Sequence, residues 1–252
     1  MTTLEKIVGF LNSYLDIYAV KDSCWNGLQF EGNREVKKIA YAVDAGVETF
    51  LKAASIKCDL IVVHHGHFWS NQNPSYTDWG KKRLDILYRN NISLYACHLP
   101  LDRHRVVGNN AQIIKLLGGR VEKEFLFHSG VNIGWTGSLK TSQTMNQIVR
   151  KVKTKLNSDP KVLSFGKKKI KNLAVCSGGG GYGGFYDALN IGTDLYITGD
   201  AIEIFYTAKD SGTNVIFAGH HATETVGLKA LKKVVDKKFA ANSVFIDLPT
   251  GL

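Results

Sequence analysis

The stretch Leu60-Ile61-Val62-Val63-His64-His65-Gly66-His67 constrains the chain more than any other, because a run of four apolar residues ends abruptly in imidazoles. Four consecutive apolar residues describe a strand buried on both faces, as in a parallel sheet. In open α/β sheets ligands gather at the carboxyl ends of strands, so His64 and His65 stand where chemistry usually happens. Taken alone, the pair also suits ordinary polar residues leaving a core strand. The pattern recurs, however. Tyr95-Ala96-Cys97 runs into His98-Leu99-Pro100-Leu101-Asp102, and Val215-Ile216-Phe217-Ala218 runs into Gly219-His220-His221-Ala222-Thr223-Glu224. Random placement of eight histidines would seldom end three apolar strands in His with a carboxylate nearby.

The chain of 252 residues is long enough for one large domain or two small ones, and its 44% apolar content is that of a globular protein. No apolar run approaches a bilayer span, and the N-terminus lacks a basic segment followed by an apolar one, so a cytoplasmic protein without membrane association is expected. Cys24, Cys58, Cys97 and Cys176 are far apart with no Cys-x-x-Cys, which argues against a disulfide framework or zinc ribbon and for buried, reduced thiols. The net charge of +10 is concentrated in clusters at Arg150 to Lys155, Lys167 to Lys171 and Lys229 to Lys238. Such clusters suit solvated surfaces, and they suit a phosphate-rich partner such as nucleic acid.

Along the chain, Leu4, Ile7, Leu11 and Leu15 predict an amphipathic helix over 3–18 with Thr3 as cap. Residues 22–30 read as an ordered loop. Strand 39–44, helix 46–57 and strand 60–64 form a βαβ unit. A helix over 78–90 leads to strand 92–97, and a helix over 109–117 ends at Gly118-Gly119. From about Val121 the texture changes. A half-exposed strand at 131–139 and a basic helix over 143–156 precede strands at 161–165 and 172–176. Strand 194–198, a helix from 201, strand 214–218, a helix from Thr223 and strand 244–248 follow. The expected organisation is α/β: 1–125 together with 215–252 as a metal-binding domain, and 126–214 as a second, inserted α/β domain packed closely against it.

The run Gly178-Gly179-Gly180-Gly181-Tyr182-Gly183-Gly184 contains G-x-G-x-x-G twice, with Asp200 at the distance of a ribose contact. A run this rich in glycine matches by composition alone, and a tight turn bringing backbone N–H groups near an anion is the simpler reading. Imidazoles and carboxylates without thiolates suit zinc, manganese, iron or nickel. His64 and His65 can each serve a different ion, because the backbone turns at a strand end. Glu224 lies four residues after His220, where helical phasing brings the two together, and one carboxylate can bridge two cations. Two ions so placed clamp the nucleophile and the attacked centre of a hydrolysis.

These residues resemble a known family, the NIF-three-like dinuclear metal proteins, also called GTP cyclohydrolase I type 2 homologues. The resemblance covers essentially the whole chain. It rests on Asp22, Asn26-Gly27-Leu28-Gln29, Val63-His64-His65-Gly66, His98-Leu99-Pro100-Leu101-Asp102, Gly108-Asn109-Asn110-Ala111, Cys176-Ser177-Gly178-Gly179, Ile197-Thr198-Gly199-Asp200 and Gly219 to Glu224. The chain is similar to the short bacterial branch. The resemblance implies two intertwined α/β domains with mixed sheets flanked by helices, and a homohexamer built as a trimer of dimers. It implies two divalent ions per chain, one on His65 and Asp102, the other on His64 and His220, with Glu224 bridging. Many members carry Pro where this chain has Gly66, and His67 is an extra imidazole for which a supporting contact or exposure is expected rather than ligation.

The reaction so implied is metal-dependent hydrolysis of a nucleotide or related heterocycle. By the family's activity it is opening of the guanine imidazole ring of GTP with loss of formate, with His98, placed beside Asp102, as a proton shuttle. Phosphoesterase chemistry on damaged nucleotides would use the same residues. A metal-binding hexameric scaffold or metal chaperone contacting nucleic acid or protein is the non-enzymatic alternative.

Overall fold

The apolar runs at 39–43, 60–63 and 94–96 become neighbouring parallel strands, and those at 173–175, 195–197 and 215–217 do the same in a second sheet. The structure, a computed structural model, describes residues 2–252. The chain divides into two compact units, residues 1–101 with 228–248 and residues 102–227 with 249–252. Boundaries at 125/126 and 214/215, expected from sequence texture, fall within strands Gly119–His128 and Asn214–Phe217 and would cut two strands of one sheet.

In the first unit a five-stranded sheet runs in the order Asn242–Phe245, Lys38–Asp44, Leu60–His65, Ser93–Ala96, Gly27–Phe30. Its first four strands are parallel and the last is antiparallel. Strand Leu60–His65 is buried through His64, as its unbroken apolar run requires. On one face Ala40, Ala42, Ile61, Val63, Leu94 and Ala96 meet Phe50 and Ala53 of helix Val47–Ser55 and Leu84 and Leu87 of helix Asp78–Asn90. Helix Leu4–Leu15 begins where the Thr3 hydroxyl accepts the Lys6 N–H, and it buries Leu4, Ile7, Leu11 and Leu15 at helical spacing.

In the second unit a six-stranded mixed sheet runs Gly119–His128, Val131–Thr144, Lys169–Cys176, Leu195–Thr198, Asn214–Phe217, Lys161–Ser164. Only the pairings among Lys169–Cys176, Leu195–Thr198 and Asn214–Phe217 are parallel. Leu173, Val175, Leu195, Ile197 and Ile216 form its core with Ile113 and Ile114 of helix Asn109–Leu116 and Ile148, Val152 and Leu156 of helix Met145–Leu156. That last helix opens with a capping box in which Thr144 and Gln147 satisfy each other's backbone N–H groups.

Several expectations are corrected. Residues 22–30, read as loop, include strand Gly27–Phe30, whose pairing to Ser93–Ala96 no local pattern announces. The helix expected from 201 is Phe205–Asp210, and the closing strand is Asn242–Phe245 rather than 244–248. The helix expected from Thr223 starts earlier and spans His220–Phe239. The Thr223 hydroxyl lies inside its first turn, 3.0 Å from Gly219 O and 2.8 Å from His220 O, and it accepts the Gly178 N–H. Strand Gly119–His128 has no counterpart among the elements expected from sequence. No described helix is long and apolar enough to cross a membrane. The four cysteines are all buried, and no disulfide joins them.

The core and the cap of helix Met145–Leu156 should separate by magnitude. Ile148→Ala, at a fully buried position, is expected to cost about 2–5 kcal/mol, whereas Thr144→Ala should cost about 1 kcal/mol. Urea midpoints of the two variants measure the difference, and equal losses would mean that the helix is held by its cap rather than by its buried face.

Candidate metal centre

Parallel pairing places strand ends side by side, and each unit uses this to gather polar groups at one sheet edge. In the first unit the register sets Asp44 opposite His65, and Asp44 Oδ1 lies 2.8 Å from His65 Nδ1. His64, at the same strand end, is wholly buried, and its Nδ1 lies 2.9 Å from the Cys97 carbonyl. A carbonyl oxygen only accepts, so the His64 proton resides on Nδ1 and the lone pair on Nε2. His98 follows strand Ser93–Ala96 and lies between Asp22 and the other two imidazoles. Its Nδ1 is 3.0 and 3.1 Å from the two Asp22 oxygens, and its ring centroid is 5.1 Å from that of His64 and 5.6 Å from that of His65. His64, His65 and His98 each present a ligand atom within 4.8 Å of the others.

Asp22 is held in place by its neighbours. The N–H groups of Cys24 and Leu99 and the Asn26 side-chain amide donate to it. Burial alone would raise its pKa, but the hydrogen bond and charge of His98, with those from Asn26 and Cys24, override this and hold the carboxyl at about 2. Asn26 Oδ1 also accepts the His98 N–H at 2.7 Å.

The second unit repeats the arrangement at the carboxyl ends of its own three parallel strands. Ser177-Gly178 follows Lys169–Cys176, Gly199-Asp200 follows Leu195–Thr198, and Gly219-His220 follows Asn214–Phe217. His220 Nδ1 lies 2.9 Å from Asp200 Oδ1. Since the helix starts at His220, residue 224 stacks one turn above it, and His220 Nε2 lies 3.2 Å from Glu224 Oε1. The hydrogen bond to Glu224, opposed by burial and assisted by the charges of Glu224 and Asp200, lifts the His220 pKa to about 9. Asp102 is buried and fixed on one oxygen: Ser177 Oγ and Asn109 Nδ2 each donate to Oδ1 at 2.8 Å. Asn109 is itself anchored, its Oδ1 accepting the Gly227 N–H.

The glycine run is a packing device here. Gly178 has φ +58°, and a Cβ on it would overlap Glu224 Oε1 and lie 3.0 Å from His220 Nε2. The N–H groups of Ser177, Gly178 and Gly180 are taken up by Asn110 Oδ1, Thr223 Oγ1 and Thr198 Oγ1, which removes three donors from the anion cradle that the sequence suggested. Asp200, weighed as a ribose contact, serves His220. His98, expected beside Asp102, is paired with Asp22. His67 is neither exposed nor paired at Nδ1: it is 6% exposed. Burial and the Arg83 charge lower its pKa. In the basic clusters Lys167 pairs with Asp194 and Lys232 with Asp236, so part of that charge is compensated locally.

Sequence reasoning missed Asp44, Ser177 and Asn109 as supports of the donors. The signal for Asp44 was its place at the end of a strand adjacent to the histidine strand, which only the parallel register reveals. The donors present, imidazole nitrogen and carboxylate oxygen with second partners already fixed, are those of a borderline divalent cation.

Gly178→Ala should lower the stability read from urea unfolding by more than about 1 kcal/mol, whereas Gly130→Ala, at φ +90° in open space, reports the backbone cost without the overlap. A loss for Gly178→Ala no larger than for Gly130→Ala would deny the steric role. The folded pKa of Asp22, about 2, lies below its unfolded value of about 3.9. Its ionised form therefore stabilises the fold above about pH 4, and that contribution disappears as the pH falls toward about 2. Asp22→Asn should flatten the acid limb of stability over that window in urea titrations, and an unchanged limb would refute the pairing.

Comparison with known proteins places this geometry in context. The sequence model of the family described as Duf34/NIF3 (NGG1p interacting factor 3) matches residues 2–250. A protein of Archaeoglobus fulgidus named GTP cyclohydrolase 1 type 2 homolog is 40% identical over 250 residues, 99% of either chain. The solved structure of protein ybgI, described as of unknown function, superposes over 100% of both chains with a TM-score of 0.92 at 32% identity. That of a Thermus thermophilus protein, TTHA1606, does so with a TM-score of 0.87 at 34% identity. With its α/β architecture of mixed sheets flanked by helices and a match along almost its whole length, the chain belongs to the Duf34/NIF3 family.

Proposed function

We propose that the protein is a hydrolase of a nucleotide or related heterocycle that works with two divalent metal ions. On the family resemblance, His65 and Asp102 would hold one ion, His64 and His220 the other, and Glu224 would bridge them. The observation that carries this reading is the repeated fixing of imidazole Nδ1 by an oxygen: Asp44 on His65, the Cys97 carbonyl on His64 and Asp200 on His220. Such outer partners orient Nε2 and raise its basicity, as metal-ligating histidines require. Bound there, the ions would lower the pKa of water and polarise the group under attack.

The chain's own residues supply the rest. Ser177 and Asn109 lock the plane of the Asp102 carboxylate. Asp22 holds the Nδ1 proton of His98 and stabilises the imidazolium formed when Nε2 takes a proton, so His98 acts as the proton carrier. The name of the Archaeoglobus relative supports GTP as substrate, and the family resemblance implies opening of its imidazole ring with release of formate. From the family resemblance we also propose a homohexamer, which sedimentation of a micromolar sample would test; a monomer there would remove it.

Elemental analysis tests the centre directly. Wild type should carry two metal ions per chain, His64→Ala mainly one, and Glu224→Gln fewer than two, because loss of the bridging charge leaves two close dications to repel each other. His67→Ala should keep both. Full occupancy in Glu224→Gln would remove the bridge from the mechanism. With metal bound, His98→Gln should reduce formate release from GTP by about 10²-fold or more at unchanged metal content. No formate, and no phosphate from simpler esters, released by metal-loaded wild type would overturn the enzymatic reading in favour of a metal-binding scaffold.

A further inference from the structure

A cavity of about 860 Å³ opens in the first unit beside the imidazole cluster, lined by Trp25, Asn26, His67, Trp69, Tyr76 and Trp79 among others. Apart from Asn26, none of these residues has a part in the candidate centre. Its size falls within the range of small-molecule sites. Three of the chain's four tryptophans lie on its walls. Trp25 and Trp79 are 64% and 57% exposed, which is costly for indole faces unless something covers them.

The walls are fixed rather than loose. The Gln29 amide oxygen accepts the N–H groups of His67 and Phe68, while its nitrogen donates to Trp25 O and Phe68 O, so one side chain ties two segments of the rim together. Gly66 permits this, since a Cβ there would overlap the Gln29 amide. Trp69 Nε1 donates to Gly66 O at 2.8 Å. The Trp69 ring centroid lies 5.1 Å from that of His98 and 6.2 Å from that of His65, so this wall abuts the candidate centre. His67 is more than nine-tenths buried and lines the cavity, yet its Nδ1 has no hydrogen-bond partner. That nitrogen is itself shielded from solvent, so His67 adds its ring to the wall, packed edge-on against Trp79 with centroids 5.9 Å apart. The Arg83 guanidinium, 4.9 Å from the Trp79 ring centroid, adds a positive charge beside that ring.

We propose that this cavity receives the planar nitrogen heterocycle of the substrate, held between indole and phenol faces. Flat aromatic walls suit a planar ring better than a sugar or an aliphatic chain. Polar side chains on the wall, among them Asn26, Gln72 and Ser75, suit a heterocycle better than a hydrocarbon. This inference deepens the hydrolase reading and rests on it for the word substrate. The cavity itself belongs to the first unit and exists without metal.

The test uses guanosine as the probe, with ribose 5-phosphate as a non-planar comparator, on the full chain both metal-loaded and chelated. Guanosine should quench tryptophan emission saturably in both forms, and ribose 5-phosphate should not. By equilibrium dialysis, Trp79→Ala should weaken guanosine binding by about tenfold or more with metal content unchanged. Tyr206→Ala, an exposed aromatic in the other unit, should have no effect. Absence of saturable quenching in wild type, or undiminished binding in Trp79→Ala, overturns the proposal. A shift in sedimentation for Trp79→Ala without any guanosine binding also overturns it, and assigns the tryptophans to an interface between copies of the chain. Guanosine binding through Trp79 by wild type that retains no metal would leave the cavity standing and remove the metal reading. Two ions bound without guanosine binding would do the reverse.

Discussion

A histidine can be a dependable ligand or base only if its ring cannot turn, and here rotation is blocked by an oxygen at Nδ1. Asp44, Asp22 and Asp200 perform this for His65, His98 and His220, and the Cys97 carbonyl performs it for His64. Asp44 faces His65 because two parallel strands share a register, and Glu224 meets His220 because both lie on the first turn of one helix. The polar edge is thus a by-product of backbone pairing, and the buried apolar faces of both sheets exist in part to hold that edge still.

The two units reach the same solution with different means. In the first, the sheet ends carry imidazoles directly, and side chains from the 22–30 segment close around them. In the second, glycines bring the strand ends close enough for side chains to meet. Gly178 yields the space that Glu224 and His220 occupy, and the donors of the turn are consumed by Asn110, Thr198 and Thr223. The same glycine-rich composition that suggests a dinucleotide fingerprint therefore serves dense internal packing.

How much of this was legible in the sequence depends on the range of the interaction. Helices Leu4–Leu15 and Asp78–Asn90 follow from local periodicity, and the apolar runs that end in His64, His98 and His220 mark the strands that carry the donors. What the sequence could not show were contacts made across long separations. The Asp22 to His98 pair spans 76 positions, and the Ser177 to Asp102 hydrogen bond spans 75. Thr223 misled as a helix start because the helix already begins at His220, and the Thr223 hydroxyl is turned back onto Gly219 O and the Gly178 N–H. Residues 22–30 misled because a short strand at a sheet margin needs its partner to be recognised.

The position of Cys176 bears on durability. Its thiol is fully enclosed, and burial, reinforced by the charges of Asp102 and Glu224, pushes its pKa far above the ordinary range. A thiol kept protonated is a poor nucleophile toward peroxide and a poor competitor for soft metals. The sulfur beside Asp102 and Glu224 is therefore chemically silent. A cysteine can thus sit against two carboxylates of the second unit and stay out of both metal binding and oxidation.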